Sequence, residues 1–307
     1  MIRLFLATAI ATLRLTAIDD NFDGIAGVAA INLDNGQRIT YHANDPFPMA
    51  SVYKVPIAVA FLQRVDRGEV SLDEKVTLGL EDFHAGNSPI VDEANGQPIT
   101  LPLRRLFMHM VRDSDNSAVD YILAHYVSPK EVMKALHGIK VSNVDVSRPE
   151  AMIIGEILNE GDKIATRKHY SERLQAMSPA ERGEGIVKFW NDPRDTATPL
   201  GIAELFVKIH KHQAGLSADS EKLLLEALAT SGSGPDRLRA GVPEGSTVAH
   251  KTGTMPGSIN DAGIITSPDG KHHIAIAVFT KHSRGPEKDG AKVVAAIAKT
   301  VWEQLTQ

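Results

Sequence analysis

The chain has 307 residues, 43% of them hydrophobic and 23% charged, which are ordinary globular proportions for a chain long enough to build one large or two intertwined cores. Its net charge of −5 leaves no broad basic surface for nucleic acid. The absence of cysteine excludes disulfides, thiolate metal sites and cysteine nucleophiles.

The N-terminus has two readings. Arg3 followed by the apolar run Leu4–Leu13 has the basic and apolar regions of a secretory signal, with Ala-x-Ala spacings at Ala7/Ala9 and Ala9/Ala11. The run is short and Arg14 cuts it, so the alternative is a first amphipathic helix from Leu4 to about Phe22, packed on the sheet that follows. No later run reaches the length of a membrane span.

Gly27–Leu33 is rich in β formers and ends in the hairpin signal Asp34-Asn35-Gly36, so Arg38–His42 is expected to return as its partner strand. Ser51–Arg67 reads as a helix stopped by Gly68. Gly79–Pro102 reads as loop. Leu103–Arg112, Ser117–Tyr126, Pro129–His137, Gly201–Gln213 and Ser220–Thr230 read as helices. Strands are expected at Thr247–Thr252, Gly263–Thr266 and His273–Thr280, the last two joined by a Ser-Pro-Asp-Gly turn, and Asp289–Leu305 closes the chain as an apolar helix. Strands at both termini with helices between them predict an α+β fold. Its antiparallel sheet is built from residues 1–45 and 246–307, with an all-helical domain, residues 46–245, inserted between them. The polar stretch near 156–186 reads as a solvated helical insertion.

Three short motifs carry chemistry. In Ser51-Val52-Tyr53-Lys54 a lysine stands three residues after a serine, on the same helix face. That is either an N-cap beside a passing charge or a nucleophile beside its base, and Ser-x-x-Lys alone is expected about once by chance in a chain this long. Ser114-Asp115-Asn116 and Lys251-Thr252-Gly253 are rarer. All three in this order resemble the motif set of the penicillin-recognising serine hydrolases, and most closely the class A β-lactamases. Phe47-Pro48-Met49, Asp192–Pro199 and Gly234–Pro243 extend the resemblance over nearly the whole chain.

The resemblance implies a five-stranded sheet flanked by helices, no cofactor and no metal. It also implies a monomer exported to the periplasm or medium, acting on a β-lactam or a D-alanyl peptide. Ser51 would be the nucleophile, Lys54 its base, Lys251 the source of positive field and Ser114 the donor of a proton to the leaving nitrogen. Asn116 would bind a substrate amide, and the amides of Ser51 and Thr254 would hold the oxyanion. Lys251, Thr252, Gly253 and Thr254 would receive the substrate carboxylate. The stretch Asn260–Gly263 lacks the arginine many relatives carry there, so Arg237 is expected to supply it. The histidine pairs His210-x-His212 and His272-His273 lack acids at ligand spacing and read as ordinary hydrogen-bonding residues.

One expectation departs from the family. Matching the loop that carries the deacylating glutamate puts Arg148 at the glutamate position and Met152 at that of its asparagine partner. A guanidinium cannot act as a base. An ungapped count from Ser114 would put Glu150 in the site, but an apparent two-residue deletion near Gly138–Lys140 argues against that count. Glu150, Glu156, Glu181 and Glu184 all remain candidates. A missing base keeps two alternatives open: a D-alanyl-D-alanine peptidase or other slow serine hydrolase, and a sensor that stays acylated.

Overall fold

The computed structural model, which describes residues 12–307, brings both ends of the chain into one antiparallel sheet. In chain order the strands are β1 (Ile25–Asn32), β2 (Arg38–Tyr41), β3 (Phe47–Pro48), β4 (Lys75–Leu78), β5 (Ile99–Pro102), β6 (Thr196–Ala197), β7 (Thr247–Met255), β8 (Ser258–Thr266) and β9 (His273–Lys281). Five of them form the main sheet in the order β2-β1-β9-β8-β7, while β3 pairs with β6 and β4 with β5. The β1–β2 hairpin turns where expected. The Asn32 carboxamide oxygen accepts the Asp34 and Asn35 amides, and Gly36 takes the left-handed conformation the turn needs (φ 78°).

The helices are α1 (residues 12–20), α2 (Lys54–Asp66), α3 (Pro89–Ala94), α4 (Leu103–Val111), α5 (Asn116–His125), α6 (Pro129–Gly138) and α7 (Glu150–Ile157). They continue as α8 (Arg167–Ala176), α9 (Pro179–Asn191), α10 (Pro199–His210), α11 (Ala218–Ala229) and α12 (Glu287–Leu305). Of the two N-terminal readings, the part that falls on residues 1–11 lies outside the described residues. Within α1, Leu15 is buried against the sheet.

Alternation along the strands sorts two cores. Val28 and Ala30 of β1 face an outer layer with Ile276, Val278 and the α12 residues Val294, Ile297 and Val301. Ala29 and Ile31 face inward with Ala275, Ala277 and Phe279, joining the core that surrounds α2. Helix α2 is buried continuously from Lys54 to Leu62 because the other helices enclose it.

Two expectations are corrected. Residues 79–102 are not simply loop: they hold a short 3₁₀ turn, α3 and β5, which pairs with β4 in a two-stranded ribbon. Four-residue strands are too short for a periodic signal to stand out. Ser51 also does not lie in an α-helix. Ala50–Tyr53 is a 3₁₀ turn, and α2 begins at Lys54.

The segment ahead of α7 is tied down by one buried cation. The Arg148 guanidinium lies 2.8 Å from Asp195, 3.0 Å from Asp192, 3.3 Å from Asp162 and 3.8 Å from Glu156. Asp195 also accepts the Ser147 and Arg148 amides, and its carbonyl accepts the Met49 amide two residues before Ser51. Removing one partner from a buried ion pair leaves an uncompensated charge. Arg148→Met is therefore expected to lower the free energy of unfolding by about 3 kcal/mol or more, measured by urea denaturation. Arg148→Glu, which adds a further acid to the cluster, is expected to cost at least as much. A change within about 0.5 kcal/mol for Arg148→Met would show that the cluster does not anchor the loop.

Candidate active site

The 3₁₀ turn explains how Ser51 and Lys54 meet. In that helix, side chains three residues apart eclipse one another, so the two stack directly. Lys54 Nζ donates to Ser51 Oγ at 2.9 Å, to Asn116 Oδ1 at 2.7 Å and to the Ser114 carbonyl at 3.1 Å. Those contacts use all three donors of an ammonium group that is fully buried. The turn is held in place from the sheet: Asn260 of β8 donates to the Pro48 and Met49 carbonyls. Gly253 of β7 lies so close that a Cβ there would stand 2.5 Å from the Met49 carbonyl oxygen. Gly253 is thus a point of close backbone approach and not part of the cavity wall.

In the second motif the three residues divide their work. Ser114 adopts a left-handed backbone (φ 59°), uncommon for a residue with a side chain. Its hydroxyl accepts from Lys251 Nζ at 2.8 Å. Asp115 is buried and caps α5 through the Ala118 amide, while also accepting from Ser88 and Ile90. Asn116 accepts from Lys54 and donates to the Ala85 carbonyl.

Strand β7 supplies the third motif. Consecutive residues point to opposite faces, so Lys251 enters the site while His250 faces away and pairs with Asp261 at 2.8 Å. Burial, then the charge of Lys54, pushes Lys251 well below the usual lysine range, against the opposing pull of Glu150 and Asp261. Thr252 donates to Ser233 Oγ, bringing in a serine that sequence reasoning did not place. Arg237 is buried. It donates to the Gly253 and Asn260 carbonyls and, at 2.6 Å, to the hydroxyl of Thr254, so it meets the cavity through Thr254.

The loop expectation is corrected here. Arg148 is consumed by its acidic cluster, and it is Glu150 that enters the site. Glu150 is buried, lines the same cavity as Ser51 and has Oε2 3.5 Å from Lys54 Nζ, with no hydrogen-bond partner on that oxygen. The ungapped count from Ser114, which puts Glu150 in the site, agrees with this placement. Ile154, not Met152, lines the cavity beside it. Glu156 faces Arg148 and Arg194, Glu181 closes a capping box with Ser178, and Glu184 is exposed beside Asn159. Asp120, absent from the sequence reading, sets Glu150 in place. Its carboxylate accepts the Glu150 and Ala151 amides at 2.6 and 2.9 Å, capping α7 from a neighbouring helix, and pairs with His84 at 2.8 Å. Nothing local in the sequence marks that role.

These groups surround a cavity of about 560 Å³, a size that suits a small organic ligand. Ser51, Ser114, Asn116, Glu150, Thr252 and Thr254 line it, with Lys54, Lys251 and Arg237 immediately behind the wall. A serine hydroxyl, a lysine and a carboxylate converging on one cavity can carry out nucleophilic attack followed by base-assisted attack of water.

The model of a family described as "Beta-lactamase enzyme family" matches residues 7–305. The extended-spectrum β-lactamase PER-1 of Pseudomonas aeruginosa is 26% identical over 284 residues, covering 90% of this chain and 81% of its own. The carbapenem-hydrolyzing β-lactamase KPC of Klebsiella oxytoca is 26% identical over 306 residues, covering 98% and 92%. The crystal structure of a β-lactamase from Chitinophaga pinensis superposes with a TM-score of 0.76 at 30% identity, covering 96% of this chain and 98% of that one. Family, fold and motif order agree from one end of the chain to the other, and the chain belongs to the β-lactamase enzyme family, in its class A branch.

Proposed function

We propose that the enzyme hydrolyses β-lactams through an ester on Ser51 and that Glu150 frees it. The observation that carries this reading is Glu150 itself, set in the Ser51 cavity with an unpartnered oxygen 3.5 Å from Lys54. Lys54 first yields a proton to Glu150. Ser51 Oγ then attacks the lactam carbonyl as its own proton passes to Lys54, and the oxyanion is held by the Ser51 and Thr254 amides. The C–N bond breaks, and the nitrogen takes a proton from Ser114, which is resupplied from Lys54, which in turn recovers its proton from Glu150. In the second half Glu150 accepts a proton from water. The hydroxide attacks the ester, and Ser51 leaves with the proton relayed through Lys54. Lys251, Thr252 and Thr254 receive the substrate carboxylate, with the Arg237 charge behind Thr254.

A base in place favours turnover over a lasting acyl-enzyme, and so favours this reading over the peptidase and the sensor. Among the described residues no helix is long and apolar enough to cross a membrane. We take the enzyme to be exported and monomeric, as the family resemblance implies.

Glu150→Gln is expected to slow formation of the ester, because the Lys54 proton loses its acceptor, and to slow its hydrolysis far more, so that the ester is trapped. With benzylpenicillin, intact mass should show a lasting adduct while turnover falls about a hundredfold or more, and Ser51→Ala should show none. Unimpaired turnover by Glu150→Gln would remove Glu150 from the mechanism. A parent protein that consumes one equivalent and stops would give the peptidase or sensor reading its place.

The lowered Lys251 fixes the sign of a pH effect. Deprotonation of Lys251 removes the charge facing the substrate carboxylate, so KM should rise with pH starting below lysine's usual pKa of about 10.4. Lys251→Arg, which keeps its charge, should move that limb to higher pH. A limb at the same pH in both proteins would assign it to another group.

A further inference from the structure

The cavity has two chemically different ends. Around Ser51 it is polar, whereas its far wall is made by Ile154 and Ile157 of α7, Tyr170 of α8, and Met255 and Pro256 at the end of β7. Both helices that span the polar 156–186 stretch reach this wall, α8 through Tyr170 and α9 through Trp190. Helix α8 buries none of its residues fully, so it contributes little to either main core. Its Tyr170 is half-buried and packs on a small separate cluster that includes Ile154, Leu158 and Met177. Helix α9 holds the opposite lip: the Trp190 indole donates to the Pro256 carbonyl at 2.7 Å. The same ring covers Gly257, where a Cβ would stand 2.5 Å from it, and Gly257 sits at φ 72°. One helix thus supplies a ring to the cavity, and the other pins the turn facing that ring.

We propose that Tyr170 is a specificity-determining residue, stacking on an apolar, preferentially aromatic, substituent of the substrate's acylamino group. An aromatic face beside branched aliphatic and thioether side chains favours such a group, and burying it beyond the reacting centre strengthens binding in the transition state as well as the ground state. The inference rests on the β-lactam reading of Ser51 and names the substrate class within it.

The test compares benzylpenicillin, which carries a phenylacetyl group, with 6-aminopenicillanic acid, the same nucleus without it. The second-order rate constant for acylation of Ser51 is read from the rate at which each lactam is consumed at concentrations below KM in the parent, Tyr170→Phe and Tyr170→Ala, so that deacylation does not enter. The ratio of the two constants should fall about tenfold in Tyr170→Ala and hold in Tyr170→Phe, which keeps the ring. A ratio within about twofold of the parent's in Tyr170→Ala would overturn the inference, as would an equal loss on both substrates. If neither lactam acylates the parent, the β-lactam reading falls and this inference with it. If both acylate and the ratio is unmoved, only this inference falls.

Discussion

The site is organised around the burial of one ammonium group. Lys54 is wholly inaccessible, and a charge removed from water needs hydrogen-bond partners and an opposite charge to remain. Its partners come from separate elements: Ser51 from the 3₁₀ turn, Ser114 and Asn116 from the start of α5, and Glu150 from the start of α7. Each of those element starts is in turn fixed by a long-range polar contact. Asn260 holds the carbonyls ahead of Ser51, Asp115 caps α5, and Asp120 caps α7. The residues to which the proposed reaction gives roles are thus also the residues that make it possible to bury the lysine.

This arrangement explains what could be read from the sequence and what could not. Ser51 and Lys54 are three residues apart, but that spacing alone is common, and it was the order of three short motifs, with Ser114 and Lys251 opening the second and third, that carried the resemblance. The main sheet was legible because its strands lie in two blocks at the chain ends, with Asp34-Asn35-Gly36 marking a turn. Glu150 was harder. Arg148-Pro149-Glu150 offers both an arginine and a glutamate, and which one faces the cavity is decided by Asp192 and Asp195, more than forty residues further along the chain. Asp120 and Asn260 act through backbone groups remote in sequence, so no spacing rule reaches them. The β4–β5 ribbon escaped because four-residue strands give almost no periodic signal.

The acidic cluster also bears on catalysis. Arg148 and Arg194 share Asp162, Asp192 and Glu156, and Asp195 is bound to Arg148 as well. A free guanidinium two residues from Glu150 would compete for its carboxylate. By pairing with the arginine, the cluster leaves Glu150 Oε2 free of hydrogen bonds beside Lys54, where the proposed base would meet water. The same interaction that fixes the loop keeps the proposed base available.

The second lysine follows from the first. Burial lowers the proton affinity of Lys251, and the charge of Lys54 in the same enclosed site lowers it further. In the proposed reaction the substrate brings a carboxylate to Lys251, Thr252 and Thr254. An anion placed there offsets the lost solvation and the repulsion of Lys54, so it raises the proton affinity of Lys251 as it binds. Binding and protonation are then linked: where Lys251 is partly deprotonated in the free enzyme, the anionic substrate selects the protonated form and takes up a proton. A neutral analogue lacking the carboxylate gains none of this, and discrimination between the two falls as pH rises through the Lys251 titration.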